Sequence, residues 1–249
     1  MISEFPLFVF TTLSGLAAGA LVASAAFPTK GESKRAWLFP SCMLVLVGVG
    51  ALASVTHLGR PQNLTYMLAN PTSSLVMEGI FAGLTCIALI ADVVLAAKGK
   101  AANRIVRIAA TVLAVVLMCV QGYAYFTSFG SPAWAAVSVW AFFVLGSIGC
   151  GFAAWGLFDG EVSEGAGAKA STVALALACV SFAWEAATFV GAGADASLLI
   201  AGVVVSAVGA ACAGAKGFAT AKLPWVVVVA LGVVALCVAR WGFYAASIL

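Results

Sequence analysis

The sequence predicts an all-α, polytopic membrane protein: a bundle of eight transmembrane helices with both termini on the outer side. Three observations predict it. The 249 residues are 64% hydrophobic and only 8% charged, against the roughly 25% charged of a soluble domain. The apolar residues fall into eight runs of the ~20 residues needed to cross ~30 Å of hydrocarbon. The basic residues gather in alternate loops. Lys30, Lys34 and Arg35 lie between runs one and two, and Lys98, Lys100, Arg104 and Arg107 in the loop between three and four and its flanks. Lys169 lies between five and six, and Lys216 and Lys222 between seven and eight. These are ten of the twelve Lys and Arg, and only Arg60 and Arg240 fall toward the other side. The positive-inside rule then places those loops in the cytoplasm and both termini outside. The net charge of +3 does not point to nucleic acid, because the basic residues sit in short loops between apolar runs. No polar stretch is long enough for a soluble domain, so residues 1–249 are expected to form a single integral membrane domain surrounded by lipid.

The first span is expected over 5–26. Its tail, ASAA at 23–26, resembles a signal-peptide cleavage site, but the start MISEF carries only Glu4 and lacks a basic n-region, so it reads as a retained span. Span two runs over 37–58 and is stopped by Gly59 and Pro61. Span three occupies 74–97, with Thr72 or Ser73 as its cap. Spans four and five follow at 104–127 and 134–157. Span six, 171–191, and span seven, 196–214, are separated only by the tight turn GAGAD at 191–195. The seventh is short and rich in Ala, Gly and Val; the eighth covers 223–246. Gly15/Gly19, Gly79/Gly83 and Gly156/Gly160 have the four-residue spacing of small-residue contacts between spans.

The seven cysteines, Cys42, Cys86, Cys119, Cys150, Cys179, Cys212 and Cys237, fall one to a span from the second to the eighth. That spacing holds neither an iron–sulfur cluster nor a zinc ion, and the thiols read as small packing residues. A single histidine, His57, excludes bis-histidine haem ligation within the chain.

Ionisable groups inside a membrane are costly, so their positions carry information. The stretch from His57 to Glu78, HLGRPQNLTYMLANPTSSLVME, gathers several polar groups at one hairpin of an otherwise mostly apolar chain. His57 ends span two, near free carbonyls and the negative end of a helix dipole. That setting suits a proton-handling group or an interfacial histidine satisfied by backbone or water, and the residues leave both open. Arg60 suits a headgroup contact or a site residue. Glu78 lies about one turn into span three, ~6 Å along its axis. It either complements the helix N-terminus or, facing the bundle, serves as a proton acceptor.

Other groups are expected at the same depth. Gln121 and Tyr125 share a face of span four, and Arg240 and Tyr244 share a face of span eight. Trp184 and Thr188 share a face of span six, with Glu185 beside them and in position to pair with Arg240. Asp92, the remaining acid within a span, reads as a solvated group near the inner interface. The expected picture is a polar pocket in the outer leaflet with no polar file across the membrane. It suits a site that takes a lipid-soluble molecule from the bilayer and exchanges protons with one side. A secondary transporter would need polar groups or broken helices at mid-depth, and a purely structural anchor would tolerate loss of His57.

Eight spans, the start EFPLFVFTTLSGLAAG, the motif HLGRP ending span two and an acid near the start of span three resemble the dimethyl sulfoxide reductase membrane-anchor subunit family. The resemblance covers the chain in length, span count and orientation, and is sharpest over residues 1–80. It implies that the chain binds and oxidises menaquinol, with no haem or cluster of its own. It implies a ferredoxin-like iron–sulfur subunit and a molybdopterin catalytic subunit as partners, and the bacterial inner membrane as location. His57 and Glu78 match the family's functional histidine and glutamate. Where the family often shows Ser-Trp-Leu-Ser-Arg-Glu, residues 73–78 read SSLVME, with Ser74 in place of Trp and Met77 in place of Arg. A quinone-reactive anchor of the polysulfide or nitrite reductase type is the neighbouring alternative.

Overall fold

A computed structural model describes residues 4–29, 35–56, 69–98, 104–128, 131, 133–219 and 221–245. The described residues form eight long helices and no strands: α1 (Phe5–Ala26), α2 (Leu38–Thr56), α3 (Ser74–Ala97), α4 (Arg104–Phe126), α5 (Ser138–Phe152), α6 (Gly165–Gly191), α7 (Ser197–Ala219) and α8 (Trp225–Ala245). Each is apolar and long enough to cross a membrane once the short 3₁₀ turn Ala153–Leu157 is added to α5. Helix is the form such runs must take, because hydrocarbon offers no water to the backbone N–H and C=O groups.

The helices assort into two groups of four. In the first, α1 packs on α2, α2 on α3, α3 on α4 and α4 back on α1. In the second, α5 packs on α6, α6 on α7, α7 on α8 and α8 back on α5. The groups meet where α5 lies against α1 and α4, and where α8 touches α1. Large apolar side chains such as Leu52, Ile87, Ile105, Val180 and Val204 point outward, as a lipid-facing surface requires.

Helix ends follow local chemistry. Pro6 sits in the first turn of α1, where its missing N–H is not needed. Ser73, rather than Thr72, caps α3, its hydroxyl accepting from the Val76 amide at 3.4 Å. The GAGAD turn closes α6 with Gly193 at φ +74°. The Ala194 amide bonds the Phe189 carbonyl and the Gly193 amide bonds that of Val190, at 2.9 and 3.0 Å. This is a Schellman closure, which calls for glycine at the left-handed residue. Asp195 then receives the Ser197 amide at 2.9 Å. That bond holds the exposed Asp195 carboxyl below the usual carboxylate range. The α6 helix begins at Gly165 rather than at 171, and α7 runs on to Ala219 rather than stopping at 214. The added residues, GAGAKA at 165–170 and AKGFA at 215–219, are rich in alanine, which forms helix well, but include lysines that end a hydropathy run.

The expected glycine contacts divide. On α1, Gly15 and Gly19 do face a neighbour. A Cβ on Gly19 would come within 2.6 Å of the Gly151 Cα and 2.7 Å of the Ser147 carbonyl, so α1 and α5 touch backbone to backbone. Gly79 and Gly83 face open space instead. Gly156 and Gly160 belong to two separate 3₁₀ turns, so no helix carries both on one face.

Asp92 is not solvated. It falls on the buried face of α3 with Thr85, Leu89 and Ala96 and is fully enclosed. Its Oδ2 receives the Arg107 Nε of α4 at 2.5 Å. The guanidinium lies 4.7 Å from the centre of the Phe39 ring of α2. One turn along α4, Thr111 donates to the Leu21 carbonyl of α1 at 3.2 Å. Counting residues back from Lys98 measures depth but not which face of the helix Asp92 occupies. The face decides, and it points at Arg107.

Two stability outcomes follow from this packing. Gly151→Val should lower the detergent melting temperature by the equivalent of about 1–3 kcal/mol, the cost of overpacking, whereas Gly83→Val should leave it unchanged. Asp92→Ala strands a buried guanidinium and should cost about 3–5 kcal/mol; replacing Asp92 and Arg107 together by Leu and Met should recover most of that loss.

Candidate functional site

Antiparallel succession brings one end of every helix to the side opposite the lysine-rich loops, and buried polar side chains collect at that end. On α3, Glu78 is the fifth helical residue, past the first turn, so it does not complement the helix N-terminus. It shares the buried face with Ala82 and Thr85 and is 6% exposed. Its carboxyl accepts no hydrogen bond from another described residue. Within its electrostatic reach lie Tyr125 of α4 and Tyr244 of α8.

These tyrosines form a hydroxyl chain. Tyr244 Oη donates to Tyr125 Oη at 2.7 Å and stands 3.1 Å from Thr11 Oγ1 of α1. Their rings are fixed by aromatic packing. Tyr125 stacks on Phe143 with centroids 5.0 Å apart and meets Trp134 and Phe243 edge-on. One turn deeper, Gln121 is fully enclosed and donates from Nε2 to Ser14 Oγ at 3.2 Å, while Ser14 donates to the Phe10 carbonyl. Gln121 and Tyr125 thus share a face, and that face meets α1.

Arg240 and Glu185 occupy the second helical group. Arg240 of α8 is fully buried, and its Nη2 donates to Ser147 Oγ at 2.9 Å and to the Phe143 carbonyl at 3.3 Å. Its guanidinium lies 3.6 Å from the centroid of the Phe143 ring and 4.6 Å from that of Phe142. Glu185 of α6 is equally buried and lies within electrostatic reach of Arg240. The expected direct pair is not formed: among the described residues neither Glu185 oxygen has a hydrogen-bond partner, and Nε and Nη1 of Arg240 have none. The contacts to α5 and the stack on Phe143 hold the guanidinium away from α6. The Ser138 hydroxyl stands near the Glu185 carboxyl, but its well-formed bond is to Thr188 Oγ1 at 2.9 Å. Trp184, next in sequence to Glu185, points outward.

Thr11, Ser14, Ser138 and Ser147 belong to this end and went unnoticed in the sequence. A hydroxyl on an apolar helix commonly bonds its own preceding turn, so it carries little signal. Thr11 and Ser14 did lie inside the EFPLFVFTTLSGLAAG motif. His57 and Arg60 lie outside the described residues. Among the described residues no cluster of three or more His, Cys, Asp or Glu side chains is placed to hold a metal ion.

Comparison with known proteins fits this arrangement to a family. The family model described as DMSO reductase anchor subunit (DmsC) matches residues 1–240. The chain belongs to the DmsC family. Members are the membrane anchors of DMSO reductase, and this anchor is a multi-pass membrane protein. Comparison with individually curated proteins finds no match. Within the DmsC chain, the start that resembled the family supplies Thr11 and Ser14, and the acid near the start of span three is Glu78.

The tyrosine bridge gives a measurable consequence. Tyr244→Phe leaves Tyr125 and Thr11 without their shared partner and should destabilise the anchor by about 1–2 kcal/mol. Tyr123→Phe, on the outward face of α4, should not; thermal melts of the two variants in one detergent decide it.

Proposed function

We propose that this anchor oxidises menaquinol at the polar end of its first helical group and passes the electrons to an iron–sulfur partner. One observation carries the reading. Glu78 is a buried carboxyl with no hydrogen bond from a described residue, set beside the Tyr125–Tyr244–Thr11 hydroxyl chain. A buried carboxyl is retained in hydrocarbon when it binds or moves something. The setting combines apolar and aromatic walls, which suit a lipid-soluble ring and its isoprenoid tail, with a few convergent polar groups, which suit its oxygens.

Quinol gives up two electrons and two protons. His57, which follows Thr56 of α2 in sequence, bonds one quinol oxygen and takes its proton. Glu78 receives the second proton and relays it outward. Arg60 stabilises negative charge on the ring. Tyr125 presents its hydroxyl to the site, held in place by the bond from Tyr244. Gln121, Glu185 and Arg240 form the polar wall behind it. The electrons leave to a ferredoxin-like iron–sulfur subunit and then to a molybdopterin catalytic subunit, docked near the same face because the transfer must be short. The complex sits in the bacterial inner membrane with both anchor termini outside, as the basic loops imply.

His57→Arg and Glu78→Leu are each expected to cut menaquinol-dependent substrate reduction by roughly 10²-fold or more. Assembly with the partner subunits should be retained, as read by co-purification. Full quinol-driven activity in either variant would sink the assignment.

A further inference from the structure

The quinol reading uses Glu78 and leaves a second buried acid, Glu185, with only a supporting place. Glu185 is fully enclosed, and both its oxygens lack a hydrogen-bond partner among the described residues. Arg240, fully enclosed as well, keeps Nε and Nη1 without hydrogen-bond partners among the described residues. A pair serving stability alone closes into direct, well-aligned bonds, because buried charges held apart lose more in desolvation than they regain. The Asp92–Arg107 pair of this same chain does close.

The surroundings limit how the open pair is satisfied. From α8 the charged group in electrostatic reach is Arg240. From α5 come the Ser138 hydroxyl and the Phe142 and Phe143 rings. The half of α7 that follows the turn, Ser197–Val208, contains no ionisable residue. Arginine stays protonated in proteins, whereas a carboxyl is neutralised by a single proton. Glu185 is therefore the member that changes state. Ionised, it balances the guanidinium; protonated, it leaves the site with one positive charge.

The pair is also tied to the quinol region. Arg240 and Tyr244 lie one turn apart on α8, and Tyr244 bonds Tyr125, which shares electrostatic reach with Glu78. We propose that Glu185, facing Arg240, is a proton-storage site of the anchor, distinct from Glu78. This rests on the quinol reading above. The two electrons of quinol leave for the iron–sulfur partner and one proton goes to His57. The other is taken first by Glu78, is then held as the Glu185 carboxylic acid, and is released on the outer side. Proton and electron counts balance without a further reactant.

The test uses the complete complex in lipid nanodiscs and infrared difference spectra between its oxidised and menaquinol-reduced states. Two carboxylic-acid carbonyl bands are expected, one lost in Glu78→Gln and the other in Glu185→Gln. Turnover in Glu185→Gln should fall by roughly 10²-fold, as when a proton-transfer group is removed. A carbonyl region unchanged by Glu185→Gln overturns the proposal. Should that variant not assemble, Glu185→Asp keeps the carboxyl and must move the same band; an unmoved band overturns the proposal equally. Failure of the underlying reading looks different, since menaquinol would then reduce no partner cluster even in the unsubstituted complex.

Discussion

The backbone contact between α1 and α5 at Gly19 and Gly151 governs the rest of the molecule. Two groups of four helices, each closed on itself, have no hydrophobic reason to associate in lipid, where tails are as apolar as leucine. Van der Waals contact at close range has to hold them, and only glycine on both sides permits it here. The same approach sets Gly15 of α1, next to Ser14, against Ser147 of α5, so the polar residues of the two groups come into line. Without it, Gln121 bonded to Ser14 and Arg240 bonded to Ser147 would stand at two unrelated places.

The two ends of the bundle treat buried charge differently. Toward the basic loops, polar side chains are bonded across helices. Asp92 holds Arg107, Trp155 donates to the Phe27 carbonyl and Trp225 to that of Ala153. These bonds join α3 to α4, α1 to the turn after α5, and α8 to that same turn. At the opposite end Glu78 and Glu185 accept no hydrogen bond from a described residue. One chain thus contains both a closed ion pair and an open one. The contrast separates closed from open buried charge, which burial alone does not, since both kinds are buried.

Eight apolar runs were legible because hydrocarbon thickness imposes length and composition on any segment that crosses it. Helix ends were less so. GAGAKA at the head of α6 is helical yet too polar for a hydropathy run, because helix formation and membrane burial are different requirements. Depth was also legible: Glu78, Gln121, Tyr125, Glu185 and Arg240 were expected at one level, and the structure places them at one end. Facing was not. Gly79 and Gly83 have the spacing of a packing motif and meet open space, while Asp92 reads as an interfacial acid and is fully enclosed. A helix of nearly uniform hydrophobicity carries no amphipathic signal to say which side turns inward. The open geometry of Glu185 and Arg240 was illegible for a related reason. Opposite charges at one depth suggest a pair, but the Phe143 ring and carbonyl that draw the guanidinium toward α5 are neutral and send no charge signal.

The position of α8 gives these observations a common mechanical sense. This helix touches α1 as well as α5, and it carries Arg240 and Tyr244 one turn apart. Tyr244 reaches into the first group, to Thr11 and Tyr125, while Arg240 stays in the second, on Ser147 and Phe143. A change of charge at Glu78 is therefore felt by a residue rigidly joined to the counter-charge of Glu185. Two buried acids in separate helical groups thus have between them one helix that bears both the hydroxyl bridge and the cation.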